Sequence, residues 1–206
     1  MEECIFCESL ERIILRKNDY FVWMANLNQS KKGLALMLVP IRHVEKFSDL
    51  TKEEKESLYD EVEVFFRNNH EKQPILRLNQ GINAGQSIPH LHFLFFLNGA
   101  DEGGISKVFD TIPLDYEYSL CGGSVQGGYS SSVDIWKVSI QEVSVIFNVF
   151  SLCLSPFRAG NLVIKFRSDQ LVAYVLKRKD DNDPYRRKDV IEVVEEQIGE
   201  MKNLFI

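Results

Sequence analysis

His90 and His92 stand two residues apart in the apolar run 88–97 (IPHLHFLFFL), just behind a loop bounded by Gly81 and Gly85. Read as a strand, this spacing sends both imidazoles to one face of a sheet, and the loop brings backbone N–H groups close to them. An imidazole beside such donors is a nucleophile next to an anion site. Two histidines in an apolar strand serve equally well as core fillers, so the pair alone leaves both readings open. Cys4 and Cys7 form a second group. In a reducing compartment a C-x2-C pair suits a metal or a redox couple. Cys121 and Cys153 stand alone and are read as packing residues.

The elements that must hold these residues can be read from periodicity. Residues 20–26 and 34–40 are apolar, branched and aromatic, separated by the polar stretch 27–33, which predicts a hairpin with a long loop. Asp49 and Thr51 offer caps, Glu53 and Glu54 suit a first turn, and Leu58, Val62, Phe65 and Phe66 recur at helical spacing, so a helix is expected over about 51–69. Strands follow at 75–80 and 88–97, giving an antiparallel α+β unit. The glycine-rich stretch 99–104 marks a seam near 100–110. Beyond it the sequence suggests a strand near 114–121, a Gly- and Ser-rich loop, a helix over 137–154, and a hairpin of 161–167 with 170–178 about Ser168-Asp169. A final helix is traced by Val190, Val193, Val194, Ile198, Met201 and Leu204.

The chain has 206 residues, 45% of them hydrophobic, enough for one large domain or two small ones. A net charge of -6 argues against a protein that coats nucleic acid, because that binding depends on clustered Lys and Arg neutralising phosphates. The sequence lacks an apolar run of about 18 residues and begins without a basic, apolar secretory leader, so a cytoplasmic protein with no membrane partner is expected.

Residues 79–92 (NQGINAGQSIPHLH) closely resemble the segment that leads into the histidine triad of HIT proteins. Gly33 followed by Leu38-Val39-Pro40-Ile41-Arg42-His43 is similar to that family's strand with a Pro-x-x-His corner, and Cys4-Ile-Phe-Cys7 is similar to its common opening. These motifs occur in family order over the first half of the chain. The resemblance implies a HIT-like antiparallel sheet with helices over 1–105, a nucleotide as small-molecule ligand, and a homodimer as a fair expectation. It makes His92 the nucleophile on an α-phosphorus, through a nucleotidyl-histidine intermediate. Asn79, Gln86 and Ser87 fall at phosphate-contacting positions and Asn26 at a ribose-contacting one. Bacterial HIT proteins with this opening bind zinc, which implies a structural Zn2+ on Cys4, Cys7, His43 and His90.

One position departs from the family. The pattern alternates His, apolar, His, apolar, His, with Gln last in the galactose-1-phosphate uridylyltransferase and dinucleotide phosphorylase branches; here Leu94 stands in the last place. Leucine neither donates nor accepts a hydrogen bond. Two functions follow: a hydrolase, phosphorylase or nucleotidyltransferase acting on a dinucleoside polyphosphate or nucleotide sugar, or a nucleotide sensor without catalysis. Residues 106–206 are expected to form a second α+β half, packed as a further sheet-and-helix layer, which has no histidine and loosely resembles the second half of the larger phosphorylases and transferases. Its basic cluster, Lys177 to Lys179 and Arg186 to Lys188, is either a solvated loop or a phosphate contact, and Arg178 is the candidate to compensate Leu94.

Overall fold

The computed structural model describes residues 4–8, 11–26, 28–30, 33–81, 84–98, 133–154, 160–167, 170–177, 190–192 and 195–205. Its elements are β1 (Ile14–Lys17), β2 (Phe21–Ala25), β3 (Asn28–Ser30), β4 (Ala35–Pro40), α1 (Lys52–Asn68), β5 (Ile75–Gln80) and β6 (Phe93–Phe96), then β7 (Val133–Val138), α2 (Val143–Leu154), β8 (Gly160–Arg167), β9 (Gln170–Lys177), β10 (Val190–Glu192) and α3 (Glu195–Lys202). The α+β class, with an antiparallel sheet and helices, is the one expected.

Eight strands form one antiparallel sheet in the order β1-β2-β4-β6-β5-β8-β9-β7. The strands of the second half therefore extend the first half's sheet instead of packing on it as a separate layer. The join is the pairing of β5 with β8, from Ile75 opposite Lys165 to Gln80 opposite Gly160. Strand alternation explains why one continuous sheet is favoured: Leu76 and Leu78 lie in register with Ile164 and Leu162, so a single apolar face runs through the seam.

That face carries the helices. α1 starts where Thr51 and Glu54 close a capping box, the Thr51 hydroxyl accepting from the Glu54 N–H and the Glu54 carboxylate accepting from the Thr51 N–H. Leu58, Val62, Phe65 and Phe66 are buried at helical spacing. α2, from the second half, sets Phe147 against Phe47 at 5.3 Å and Phe93 at 5.8 Å. Phe205, just beyond α3, packs 5.0 Å from Trp23. The core thus draws on both halves of the sequence.

Several expected boundaries move. The stretch 27–33 contains β3, which pairs with β10; Val190 to Glu192 is strand, and the last helix begins at Glu195. Residues 137–138 belong to β7, with α2 starting at Val143. A helical period and a short apolar strand look alike over so few residues, and a distant partner decides between them. The strand near 114–121, Cys121 and Arg178 lie outside the described residues, as do the side chains of Cys153 and of the turn 168–169. Among the described residues no helix is long and apolar enough to cross a membrane.

Candidate functional site

The histidine segment is not strand. β6 begins at Phe93, after Pro89 has removed a ladder donor, and 88–92 runs as an irregular approach to it. The two imidazoles therefore do different work. His90 is fully buried and directs Nδ1 at two thiols, 3.3 Å from Cys4 Sγ and 3.6 Å from Cys7 Sγ. Cys7 Sγ is also 3.3 Å from His43 Nδ1. The four ligand atoms lie within 4.8 Å of one another.

This quartet fits zinc. Thiolate and imidazole ligands around one tetrahedral Zn2+ stand about 3.5 Å apart, as these sulfur–nitrogen pairs do. His90 Nε2 lies 2.9 Å from the Pro40 carbonyl, which only accepts, so that nitrogen carries the proton and Nδ1 keeps its lone pair for a metal. Partial burial and the neighbouring Cys4 raise the Cys7 pKa, a cost that a bound cation removes. Burial, with His43 and His92 close by, lowers that of His90 against the raising effect of the Pro40 carbonyl, which keeps the ring a neutral ligand. His43 is held by its neighbour in the corner: Arg42 makes a two-pronged contact with Glu54, Nε to Oε1 at 2.9 Å and Nη2 to Oε2 at 2.7 Å, tying the corner to the start of α1.

His92 is 7% exposed, and its Nδ1 donates to the His90 carbonyl at 2.8 Å. Burial lowers its pKa, only partly opposed by that hydrogen bond. The ring is thus neutral near pH 7 with its Nε2 lone pair uncommitted by the bond at Nδ1, the form a nucleophile requires. Phe6, carried on the cysteine turn, stands edge-on 5.3 Å from this ring and 5.7 Å from that of His90.

The loop that follows β5 turns on Gly85, whose φ of 86° suits glycine. Gln86 braces it from inside: its Oε1 accepts from the Gly81 N–H at 2.7 Å and its Nε2 donates to the Glu45 carbonyl at 3.1 Å. Ser87 is exposed, and together with Gln86, Gly81, Gln80, Glu45 and Lys46 it borders a cavity of about 280 Å3. Asn79 sits at the loop's root, one step beyond the paired residues Leu78 and Phe93, on the sheet face opposite the helices. Its Oδ1 accepts from Arg77 Nε at 3.2 Å and from Asn161 Nδ2 at 2.6 Å.

The structure brings Cys4, Cys7, His43 and His90 into one cluster, with His92 beside it, and places Asn79 near the end of β5 and Gln86 and Ser87 on the loop that follows it. Asn26 stands apart. Its N–H pairs with the Ala35 carbonyl, whereas Leu38 marks the row of Phe93, so it lies roughly 13 Å along the sheet from the His92 end at 3.4 Å per residue. Leu94 faces away from the helices, in register with Met37 and Arg77, and packs with Ala35, Phe96 and Ile75. Sequence reasoning missed Arg77, Asn161 and Phe6. The first two are polar residues buried to 5% and 0% exposure in strands that carry other polar residues, so nothing local marked them out. The Asn161 Oδ1 has no partner among the described residues, which costs about 1–3 kcal/mol for a buried acceptor.

Residues 8–94 match the family model described as HIT domain. No curated protein matches the chain. Among solved structures, a DUF4931 family protein from Bacillus cereus ATCC 10987 is similar over 93% of this chain and 99% of its own, with 15% identity and a TM-score of 0.60. The yeast Ap4A phosphorylase Apa2 is similar over 98% of this chain and 77% of its own, with 11% identity and a TM-score of 0.57. At such identities the likeness is one of fold, and it runs through the second half as well as the first. Residues 8–94, less than half of this chain, thus match a HIT domain, and β7, β8 and β9 extend the sheet in which these residues lie.

Proposed function

We propose that the protein processes a nucleotide by attack of His92 Nε2 on its α-phosphorus. The observation that carries this reading is the His92 Nδ1 contact with the His90 carbonyl, which fixes the tautomer and leaves Nε2 as the nucleophile. A phosphorus–nitrogen bond forms while the bond to the departing phosphate oxygen breaks, and that oxygen leaves with the electron pair. Water or inorganic phosphate then attacks phosphorus, and the nitrogen departs, which regenerates the imidazole. The Asn79 amide, at the root of the loop that follows β5, is the side-chain donor for the developing negative charge. The fold shared with Ap4A phosphorylase makes a dinucleoside polyphosphate the first substrate class to examine, followed by nucleotide sugars.

Zinc on Cys4, Cys7, His43 and His90 would hold the cysteine turn and the Pro40–His43 corner together and supply no chemistry to the reaction. The second reading is a nucleotide sensor, favoured by Leu94, which packs among apolar side chains where the family has a polar one. Turnover of dinucleoside polyphosphates and nucleotide sugars, with and without inorganic phosphate, separates the two. Intact mass spectrometry of a rapid quench should show one nucleotidyl group on His92. Binding of nucleotide with neither turnover nor adduct establishes the sensor.

A further inference from the structure

We propose that Asn161 and Arg77 are positioning residues that lock the Asn79 amide with its NH2 group turned to the loop, so that the second half of the chain completes the anion site beside Leu94. The inference rests on the nucleotide reading above. An asparagine side chain has one acceptor oxygen and one donor nitrogen, and its two faces are nearly isosteric, so only its partners decide which end points where. At Asn79 they decide it twice: Arg77 Nε and Asn161 Nδ2 both donate to Oδ1. Nδ2 is left toward Gly85, 3.9 Å from the place a Cβ would take there. An amide N–H pair turned to the loop is suited to an anion.

Asn161 is well placed for this role because it grips two parts of the site together. Its Nδ2 also donates to the Ala84 carbonyl at 2.8 Å, inside the loop. It reaches there because β8 pairs with β5 so that Asn161 lies opposite Asn79. Arg77 lies opposite Leu94 on the other side of β5, on the same sheet face, so its Nε–H···Oδ1 bond spans from the row of the missing triad residue to the loop's root. A residue kept for stability alone is not expected to leave a buried Oδ1 without a partner, as Asn161 does among the described residues.

The test is titration of the zinc-loaded full chain with AMP and with adenosine, in Asn161→Leu, Arg77→Met and Asn79→Ala, singly and with each of the first two combined with the third. Asn161→Leu keeps the volume and removes the orphaned acceptor but also takes the donor from the Ala84 carbonyl, so its melting temperature is measured beside binding; Arg77→Met tests the other donor should the leucine variant fail to fold. Each single variant should weaken AMP about tenfold or more while leaving adenosine unchanged. In the Asn79→Ala background, neither Asn161→Leu nor Arg77→Met should weaken AMP further. Equal weakening of AMP and adenosine, or losses that add fully to that of Asn79→Ala, overturns the positioning role. If the unaltered protein binds AMP and the variants bind it equally well, this inference alone fails. If the unaltered protein does not bind AMP, the nucleotide reading fails and takes the inference with it.

Discussion

His92 Nδ1 sits 2.8 Å from the carbonyl oxygen of His90, so the backbone of the proposed zinc ligand orients the imidazole proposed as nucleophile two positions on. The proposal nevertheless gives the side chains of the two histidines separate functions. His92→Ala should lower nucleotide turnover on the order of 10³-fold or more, with one zinc per chain retained. Elemental analysis beside the rate measurement checks both halves of this expectation. Loss of zinc in this variant would mean that the roles of the two rings are exchanged.

Cys4→Ser or Cys7→Ser should abolish stoichiometric zinc, because a closed site with three remaining ligands loses one of its two thiolates. Melting temperature should rise when zinc is supplied to stripped protein, since the ion binds only the folded arrangement of ligands brought from residues 4, 7, 43 and 90. Calorimetry with and without added zinc is the measurement, and equal melting temperatures refute the site.

Glu54 carries a pH dependence. Arg42 holds its carboxyl below the usual value of 4.5, helped by the Thr51 N–H and opposed by burial. Because the folded-state value is the lower one, its stabilisation is complete above the unfolded carboxylate's pKa and is lost as the pH falls through the folded-state one. Glu54→Gln keeps the cap acceptor and loses the charge, so it should cost about 1–2 kcal/mol at pH 7. The gap in melting temperature between the two proteins should close under strong acid. A gap that stays constant with pH would contradict the pairing with Arg42.

Leu94→Gln restores the residue type of the phosphorylase branch at a position packed by Ala35, Phe96 and Ile75. With Asn79 already held by Arg77 and Asn161, the added amide should change kcat/KM by less than about threefold while lowering the melting temperature, as polar groups do in apolar contacts. Steady-state kinetics and a melt decide it. A tenfold gain in kcat/KM would show that position 94 limits the reaction.

Local chemistry made part of this legible. The capping box at Thr51 and Glu54, the C-x2-C turn, the Pro40–His43 corner and the histidine pair each declare themselves within a few residues, and their assembly around one point follows from strands that pair where the periodicity places them. What was not legible depends on pairing over long separations. Asn161 and Asn79 stand 82 positions apart, and nothing in either strand names the other as partner. β3 and β10 were hidden for the same reason, since three residues of strand have no period of their own. The start of β6 could have been read more closely, because Pro89 argues against a strand that begins at residue 88.

Phe6 rides on the turn that Cys4 and Cys7 close, edge-on to the His92 ring. With zinc on this turn, as proposed, removing the ion would unfasten one wall around the His92 ring, although no step of the proposed chemistry passes through the ion. A chelator that inactivates this protein would give the appearance of a metalloenzyme, and inhibitors chosen to capture a catalytic metal would score as hits by dismantling a support. The two cases differ at Phe6→Ala, where a chelator-like loss of rate should occur with the zinc still in place.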